Sequence, residues 1–289
     1  MSEIDHIFIL GGEKCGSTWL QHIFDTNPHF CLYPDDQETH FFTRHYEKGI
    51  GHYQKMFSHR KPGQISVDAD PQYFSKPDVL ERIERYVIDF DINAKFIFSA
   101  REPLARIESA YKMIIRRDGF KPLDTELETG SYIENSSYHK HLTRFMERFP
   151  KENFCLILYD DIQKNPDRVI DQLETFLDLP AGSLTNLYKN TRINAGGMRR
   201  SSALTRMSQV ASKMVRSLNS PTLLHAIKRN SLVGKFQAFN SVEYHLSQEE
   251  KLLLESRRGE FTQEVLGLAE LMNCPELPGL WGYDAAENQ

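Results

Sequence analysis

The chain has 289 residues, of which 40% are hydrophobic and 26% charged, a balance typical of a globular protein and not of a disordered or fibrous chain. That length fits one large domain or two small ones and is sufficient to bury a sizeable core. The 35 Lys and Arg residues and 40 Asp and Glu residues give a formal net charge of −5, which argues against a general nucleic-acid binder.

Short apolar runs alternate with helical patterns over residues 6–180. Strands are predicted at 6–10, 64–68, 95–99 and 154–159. Helices are predicted at 19–24, 77–89, 103–117, 138–149 and 166–177. This alternation predicts an α/β fold in which helices flank a central, mainly parallel sheet. Because ligands of such sheets bind beyond the carboxyl ends of the strands, polar residues that directly follow a strand are the first candidates for a site.

A basic segment follows these elements. Residues 179–242 contain ten Lys and Arg residues and no Asp or Glu, so the segment carries +10 and the rest of the chain −15. Charge segregated in this way predicts a surface that meets an anion. An amphipathic pattern at 204–218 predicts a helix that either packs on the core or lies on an anionic membrane surface.

The C-terminal part is predicted to contain one further helix at 247–268. Ser247 and Glu250 have the spacing of a capping box at its start. Because no linker is evident, we expect all 289 residues to form a single domain, with a core at 6–180 and a basic C-terminal lobe at 181–289.

The loop between the first strand and the first helix is rich in glycine. Backbone N–H groups in such a loop can point at an anion, and the helix N-terminus adds partial positive charge. Lys14 supplies a formal charge, and Ser17 and Thr18 supply hydroxyl donors. A Walker A motif requires Lys directly after the last Gly, whereas Ser17 follows Gly16 here, so the usual Mg²⁺-nucleotide geometry is not expected. The loop therefore predicts a phosphate site of another kind.

A second anion site is predicted after the third strand. Arg101 directly follows that strand, and Ser109 lies eight residues on, about two helical turns away. The planar guanidinium of Arg suits a phosphate group, and a helix Ser can bind the same oxyanion.

Together these two segments resemble those of a known family. Residues 12–20, Gly-Glu-Lys-Cys-Gly-Ser-Thr-Trp-Leu, resemble the 5′-phosphosulfate loop of the sulfotransferase family. Residues 101–111, which begin Arg-Glu-Pro, resemble its 3′-phosphate segment. Three further stretches resemble the family's catalytic-glutamate segment, its Ser-Pro-x-Tyr turn and its later strand–helix unit: 37–42, 70–74 and 159–177. The resemblance covers about residues 7–180 in the family's order.

The resemblance implies a P-loop-like nucleotide-binding fold and the donor 3′-phosphoadenosine-5′-phosphosulfate, with adenosine-3′,5′-bisphosphate as product and no metal required. The sulfuryl group would pass in line to a hydroxyl or amine of a small-molecule, lipid or saccharide acceptor. Two separated anion sites, at the glycine loop and at Arg101 and Ser109, suit a nucleotide with phosphates on both sides of its ribose.

Residue by residue, the resemblance implies a general base at Glu38 and a cation at Lys14 that stabilises the departing phosphate. His40 is a candidate to assist Glu38 or orient the acceptor, although a histidine before two phenylalanines also fits a packed position. Asp35 and Asp36 compete with Glu38 for the role of base. The residues implied to bind the donor are Lys14, Cys15, Gly16, Ser17, Thr18, Trp19, Arg101, Ser109, Arg199 and Arg200.

Part of the basic segment is a candidate lid. Lys189, Arg192, Arg199 and Arg200 flank the pair of glycines at 196–197. A mobile loop with these cations would close over the nucleotide and its 3′-phosphate. The alternative is a solvated surface.

The acceptor is less well defined by the sequence. Heparan-type relatives often carry a Lys two residues before the Pro of the Ser-Pro-x-Tyr turn, and Ala69 stands at that position, which argues against a heparan-like acceptor. Asp68 and Asp70 either bind the acceptor or cap a turn. Four aromatic residues near these carboxylates are predicted to be core rather than an acceptor platform: Phe41, Phe42, Tyr73 and Phe74.

The cysteine spacing and the lack of membrane or secretory signals predict the compartment. Four widely spaced cysteines predict free thiols. No apolar run of membrane-spanning length and no secretory signal is evident, so we expect a cytoplasmic enzyme without a membrane segment.

Two other functions remain open: a small-molecule kinase, and a non-catalytic module that binds acidic ligands.

Overall fold

The structure is a computed structural model that describes residues 4–33, 38–128, 131–184 and 244–283, and the backbone of 198–199 and 241–242. Its centre is a five-stranded parallel sheet in the order β2-β3-β1-β4-β5. The strands are β1 (His6–Ile9), β2 (Phe30–Leu32), β3 (Ile65–Ala69), β4 (Ala94–Ala100) and β5 (Phe154–Leu158). A separate antiparallel pair consists of β6 (Met198–Arg199) and β7 (Ser241–Val242).

Helices connect the strands and cover the sheet. Those between β1 and β4 are α1 (Ser17–Asp25), α2 (Ile50–Met56) and α3 (Pro77–Asp89). Those within residues 103–176 are α4 (Pro103–Asp118), α5 (Leu123–Glu128), α6 (Ser131–Glu134), α7 (Tyr138–Met146), α8 (Tyr159–Lys164) and α9 (Pro166–Phe176). The C-terminal helices are α10 (Gln248–Glu255), α11 (Thr262–Met272) and α12 (Leu277–Trp281). A π-helical turn (Phe41–His45) and 3₁₀ turns (Tyr46–Lys48, Lys151–Asn153, Arg258–Phe261) complete the described elements.

The sheet is buried on both faces, as expected of parallel strands. In β1, Phe8 points to one face with Phe96 of β4, where their rings stack at 5.6 Å, while Ile7 and Ile9 point to the other. The Phe8 face also carries the predicted aromatic core, because Phe41, Phe42, Tyr73 and Phe74 are each at most 1% exposed. That prediction is confirmed.

The C-terminal helices pack on this same face of the sheet. Leu254, Phe261, Val265 and Leu268 are buried in the cluster that contains Phe8. The capping box that was predicted at Ser247 is present, with the hydroxyl of Ser247 accepting from the N–H of Glu250 at 3.1 Å.

The single helix predicted at 247–268 is wrong, because the structure has α10, a 3₁₀ turn and α11 in its place. Gly259 in the break disfavours a helix interior. The side chain of Arg258 also makes contacts outside this segment: its guanidinium donates to the carbonyl of Trp281 at 3.2 Å and lies 3.6 Å from Glu102. The helix pattern predicted at 204–218 lies outside the described residues. Among the helices that are described, none combines the length and the apolarity that crossing a bilayer requires.

Three of the predicted loops meet at the carboxyl edge of the sheet. Leu10 and Gly12 donate their N–H groups to the carbonyls of Ile97 and Ser99, which keeps the start of the glycine loop beside the end of β4. Arg101 follows β4, and Tyr159 follows β5, the next strand along the edge. The parallel order therefore brings together segments that are about 90 and 150 residues apart in sequence.

Candidate active site at the carboxyl edge of the sheet

The glycine loop turns sharply between β1 and α1. Lys14 and Gly16 both have positive φ, 71° and 96°. Gly16 occupies the N-cap of α1, where a Cβ atom would lie 2.7 Å from Cδ1 of Ile162 and 3.3 Å from the ring of Tyr159. Only glycine fits this position without strain and without displacing α8.

The first turn of α1 has backbone donors to spare. The N–H groups of Gly16, Ser17 and Thr18 donate to no acceptor in the described part of the chain. These are the N–H groups that a helix N-terminus leaves without an intrahelical partner, and together with the helix dipole they form an anion site.

Cys15 and Trp19 instead stabilise the loop itself. Their N–H groups donate to the carbonyls of Gly12 and Gly16, at 3.1 and 2.9 Å. The thiol of Cys15 is buried 3.5 Å from the hydroxyl of Tyr138, and Trp19 is 8% exposed within the core. That Cys15 and Trp19 also bind the donor stays a prediction.

A cluster of cations faces the loop. Burial lowers the pKa of Lys14, and the nearby charges of Arg116 and Arg101 lower it further, against the opposing effect of Glu13. The guanidinium of Arg101 lies 3.5 Å from the carbonyl of Lys14 and stacks 4.5 Å above the ring of Tyr159. An anion bound at the first turn of α1 would relieve the repulsion among these cations. Arg116, which lies on α4 seven residues after Ser109, is not among the residues predicted from the sequence.

The remaining donor-binding candidates are described only in part. Ser109 is half-buried on α4, and its hydroxyl has no hydrogen-bond partner among the described residues. The backbone of β6, which includes Arg199, lies beside α4. The side chain of Arg199, the whole of Arg200 and the rest of the predicted lid lie outside the described residues.

Opposite the loop, three ionisable side chains form a contiguous chain. Nδ1 of His40 lies 3.1 Å from Oδ2 of Asp70, and Nε2 of His40 lies 3.4 Å from Oε2 of Glu38. Asp70 is fully buried and also accepts from the hydroxyl of Thr43 at 2.9 Å and from the N–H of Gln72 at 2.9 Å. Asp70 therefore caps a turn and orients His40 toward Glu38. The competing carboxylates Asp35 and Asp36 lie outside the described residues.

This environment changes the pKa values of Glu38 and His40. Burial raises the pKa of Glu38 to about 7, and the negative charge of Asp70 adds to the effect. The hydrogen bond to Asp70 raises the pKa of His40 above its usual value, while partial burial acts against it. A carboxylate that titrates near neutral pH suits a general base, because it is both ionised and basic enough to accept a proton.

A buried hydrogen-bond network supports the backbone between these groups. Asp68 is 1% exposed and accepts from the hydroxyls of Thr39, Tyr53 and Tyr73, at 3.0, 2.8 and 2.8 Å. Burial raises the pKa of Asp68 to about 6, while these hydroxyl bonds act against the rise. Since Thr39 lies between Glu38 and His40, the network holds both flanking side chains in position. His40 itself has a left-handed backbone, with φ of 48°.

A cavity of about 310 Å³ joins the two halves of the site. Its wall includes Thr18 from the anion site as well as Glu38 and His40. The other lining residues are Gln21, His22, Asp25, Leu32, Tyr33, Thr39, Val67, Asp68 and Ala69. A small acceptor in this cavity would lie between the base and the first turn of α1.

The same three ionisable groups also have the composition of a cation site. Glu38, His40 and Asp70 each offer one ligand atom, and these atoms lie within 4.8 Å of one another. A divalent cation held here would occupy the position in which Glu38 would accept a proton.

The family pattern predicts Glu38 and His40 as catalytic residues, but it does not decide whether Asp70 binds the acceptor or caps a turn. One signal was available: Asp70 directly follows β3, just as Arg101 directly follows β4. The partner of His40 therefore comes from a strand end 30 residues further along the chain.

Comparison with known proteins identifies the family. The family model of the sulfotransferase domain matches residues 4–223. The chain belongs to the sulfotransferase family. A solved sulfotransferase from Alicyclobacillus acidocaldarius has the same fold, with a TM-score of 0.56 and 19% identity over 66% of this chain and 86% of that one. The sequence-based expectations of family and of an α/β fold with a parallel sheet are confirmed.

Curated relatives share part of their length with this chain. Heparan sulfate glucosamine 3-O-sulfotransferase 5 of Mus musculus is 29% identical over 207 residues, 66% of this chain and 58% of that protein. Heparan sulfate glucosamine 3-O-sulfotransferase 6 of Homo sapiens is 27% identical over 165 residues, 51% of this chain and 46% of that protein. The chain thus spans less than two thirds of the length of these relatives.

Proposed function

We propose that the chain transfers a sulfuryl group from 3′-phosphoadenosine-5′-phosphosulfate to a hydroxyl or amine of a small-molecule, lipid or saccharide acceptor. One observation carries the proposal. Thr18, whose N–H is an unused donor at the start of α1, and Glu38, whose pKa is raised to about 7, line the same cavity. An anion site and a neutral-pH base facing one space are the two parts that sulfuryl transfer needs.

The residues present fit the donor. The N–H groups of Gly16, Ser17 and Thr18 would hold the 5′-phosphosulfate end with Lys14. Arg101 and Ser109 would hold the 3′-phosphate, since a guanidinium suits that anion and the hydroxyl of Ser109 has no partner among the described residues. The donor supplies an activated sulfuryl group whose bond to the 5′-phosphate breaks during transfer.

Glu38 would remove the proton from the attacking hydroxyl. As the acceptor oxygen bonds to sulfur, its proton moves to Glu38, and negative charge develops on the departing 5′-phosphate oxygen. Lys14 and the α1 amides would stabilise that charge, and the amides need no rearrangement because the helix already fixes their positions. His40, held by Asp70, would keep the Glu38 carboxylate directed into the cavity.

Calorimetry with adenosine-3′,5′-bisphosphate in EDTA tests the donor half. We expect tight binding that does not require Mg²⁺, and weaker binding by an Arg101→Ala variant. An Arg85→Ala variant is the matched control, because Arg85 is an exposed residue of α3. Absence of binding by the wild-type chain would overturn the proposed function, and binding of ATP that depends on Mg²⁺ would favour a kinase instead.

A further inference from the structure

The cavity next to Glu38 has a marked charge composition. Asp25, Glu38 and Asp68 are among its lining residues, and no Lys or Arg is among those described. The carboxylate of Asp68 is buried on three hydroxyls, so Asp25 and Glu38 supply the negative charge. Arg44 is close enough to lower the pKa of Glu38, but its side chain does not line the cavity. The cations described elsewhere in the site, Lys14, Arg101 and Arg116, lie on the donor side. The described part of the wall that an acceptor would meet is therefore acidic.

Helix α1 supplies one side of the cavity. Thr18, Gln21, His22 and Asp25 line it at spacings of three and four residues, which places them on one helical face. Seven residues separate Thr18 from Asp25, and at about 1.5 Å per residue this face extends about 10 Å from the anion site. Asp25 is exposed and makes no hydrogen bond or ion pair with any described residue. It is a carboxylate available to a ligand at the far end of the cavity.

The opposite side is apolar. Leu32 of β2 and Val67 and Ala69 of β3 line it with their side chains. A ligand that fits both sides has one apolar face and hydrogen-bonding groups along the other, as pyranose sugars and polyols have. The volume of about 310 Å³ lies at the lower limit of small-molecule sites and is too small to enclose a long oligosaccharide.

From this composition we propose that the cavity selects a small polyhydroxylated acceptor that is neutral or carries an amino group, and that it rejects acceptors with carboxylate or sulfate groups. The proposal rests on the proposed function, because it takes Glu38 as the base. An anionic acceptor would bring its charge within several ångströms of Asp25 and Glu38. At the effective dielectric of a partly buried site this repulsion corresponds to a discrimination of about tenfold to a hundredfold.

Three monosaccharide acceptors that share one skeleton, together with one anionic oligosaccharide, test the selection. Transfer from ³⁵S-labelled donor is measured to p-nitrophenyl β-D-glucosaminide, its N-acetyl counterpart, p-nitrophenyl β-D-glucuronide and a heparan sulfate hexasaccharide. We expect product with the first two, and kcat/KM at least tenfold lower with the two anionic acceptors. Equal or faster turnover of the anionic acceptors would overturn the proposal, as would the absence of product from both uncharged and aminated sugars.

Charge reversal at Asp25 gives a second, independent readout. An Asp25→Lys variant should raise kcat/KM for the glucuronide about tenfold and lower it for the glucosaminide. Asp89→Lys, which reverses an exposed charge at the end of α3, should change neither value. Unchanged selectivity in Asp25→Lys contradicts the proposal.

Nucleotide binding separates this proposal from the proposed function. A chain that binds adenosine-3′,5′-bisphosphate but sulfates only anionic sugars overturns the acceptor proposal alone. A chain that binds no nucleotide overturns the proposed function as well.

Discussion

The donor side and the acceptor side of the site are built by opposite means. On the proposed donor side, the anion-binding groups are mainly backbone N–H groups of one contiguous loop. The nearby charges are positive: Lys14, Arg101 and Arg116. On the acceptor side, side chains from two separate segments meet, and the buried charges are negative. Asp70 and Asp68 belong to the β3 strand end, whereas Glu38 and His40 belong to the loop before the π-helical turn.

The difference has a consequence for chemistry. In the proposed mechanism, a positive donor side would stabilise the charge of a departing phosphate, and a negative acceptor side would keep a carboxylate basic near neutral pH. Each side depends on the burial of its groups, since burial is the largest cause of both the lowered pKa of Lys14 and the raised pKa of Glu38. Substitutions on the two sides should therefore differ in which kinetic parameter they change.

The largest effect is expected on the acceptor side. Glu38→Gln removes the group that accepts the proton while keeping its shape, so kcat should fall about 10³-fold with little change in nucleotide affinity. Steady-state transfer assays at saturating donor measure it. Glu47→Gln, an exposed residue of the following 3₁₀ turn, should retain full activity. A fully active Glu38→Gln variant would remove Glu38 from the role of base.

Lys14→Ala should have the next largest effect. Loss of the cation that stabilises the leaving phosphate is expected to lower kcat about 10²-fold. Ala, like Lys, carries a Cβ atom, so the positive φ of 71° is no more strained than before. Lys48→Ala serves as the control because Lys48 is exposed and distant from the loop in sequence. The idea fails if kcat is unchanged and only KM for the acceptor rises.

Arg101→Ala should act on binding rather than on turnover. A charge-assisted hydrogen bond contributes roughly 1.5–3 kcal/mol, so affinity for adenosine-3′,5′-bisphosphate should weaken about tenfold to a hundredfold. Calorimetry gives the Kd, and kcat at saturating donor should fall less than in Lys14→Ala. Equal losses in kcat for both variants would show that the two cations do not have separate roles.

The smallest effect is a shift in pH dependence. As the proposed base, Glu38 would act when ionised, and its pKa is raised to about 7, so log(kcat/KM) should rise with pH up to about 7 and then level off. The charge of His40 lowers the pKa of Glu38, so His40→Asn should move this limb to higher pH. His45→Asn, at the end of the π-helical turn that follows His40, should leave the pH dependence unchanged. If the rise of log(kcat/KM) with pH is not shifted in His40→Asn, that result contradicts coupling between Glu38 and His40.

Zn²⁺ provides a further comparison of the two sides. A cation bound by Glu38, His40 and Asp70 would block the base, so we expect micromolar Zn²⁺ to inhibit transfer reversibly, with recovery in EDTA. Nucleotide binding on the donor side should be unaffected. Activation by Zn²⁺ would mean that the three side chains serve a metal rather than a proton.

The donor side was largely predictable from the sequence. Its loop is one short run in which Gly16 must adopt positive φ, and the strand and helix on either side have clear hydrophobic patterns. Among the described elements, α3 begins and ends as predicted, and β1, β3, β4 and β5 lie within one residue of their predicted positions. The three-residue β2 was not predicted, because so short a strand has no detectable period.

The acceptor side was predictable only through resemblance to a family. The pattern around Glu38 and His40 pointed to a base, but nothing local indicated that Asp70 would orient His40 or that Asp68 would bind Thr39. Such bonds join residues about 30 positions apart, and they form because β3 ends beside the loop that follows β2. Sequence spacing contains no measure of that proximity.

By itself, the sequence of this protein determined the α/β class, the glycine loop and the cation that accompanies it, because each depends on local periodicity, on glycine's backbone freedom or on a contiguous motif. Only the tertiary structure decided which carboxylates are buried, which histidine they orient, and that Asp25 but no cation is among the described residues that line the cavity. Burial and charge proximity depend on how distant segments pack, and these two quantities set the pKa of Glu38 and the charge that an acceptor meets.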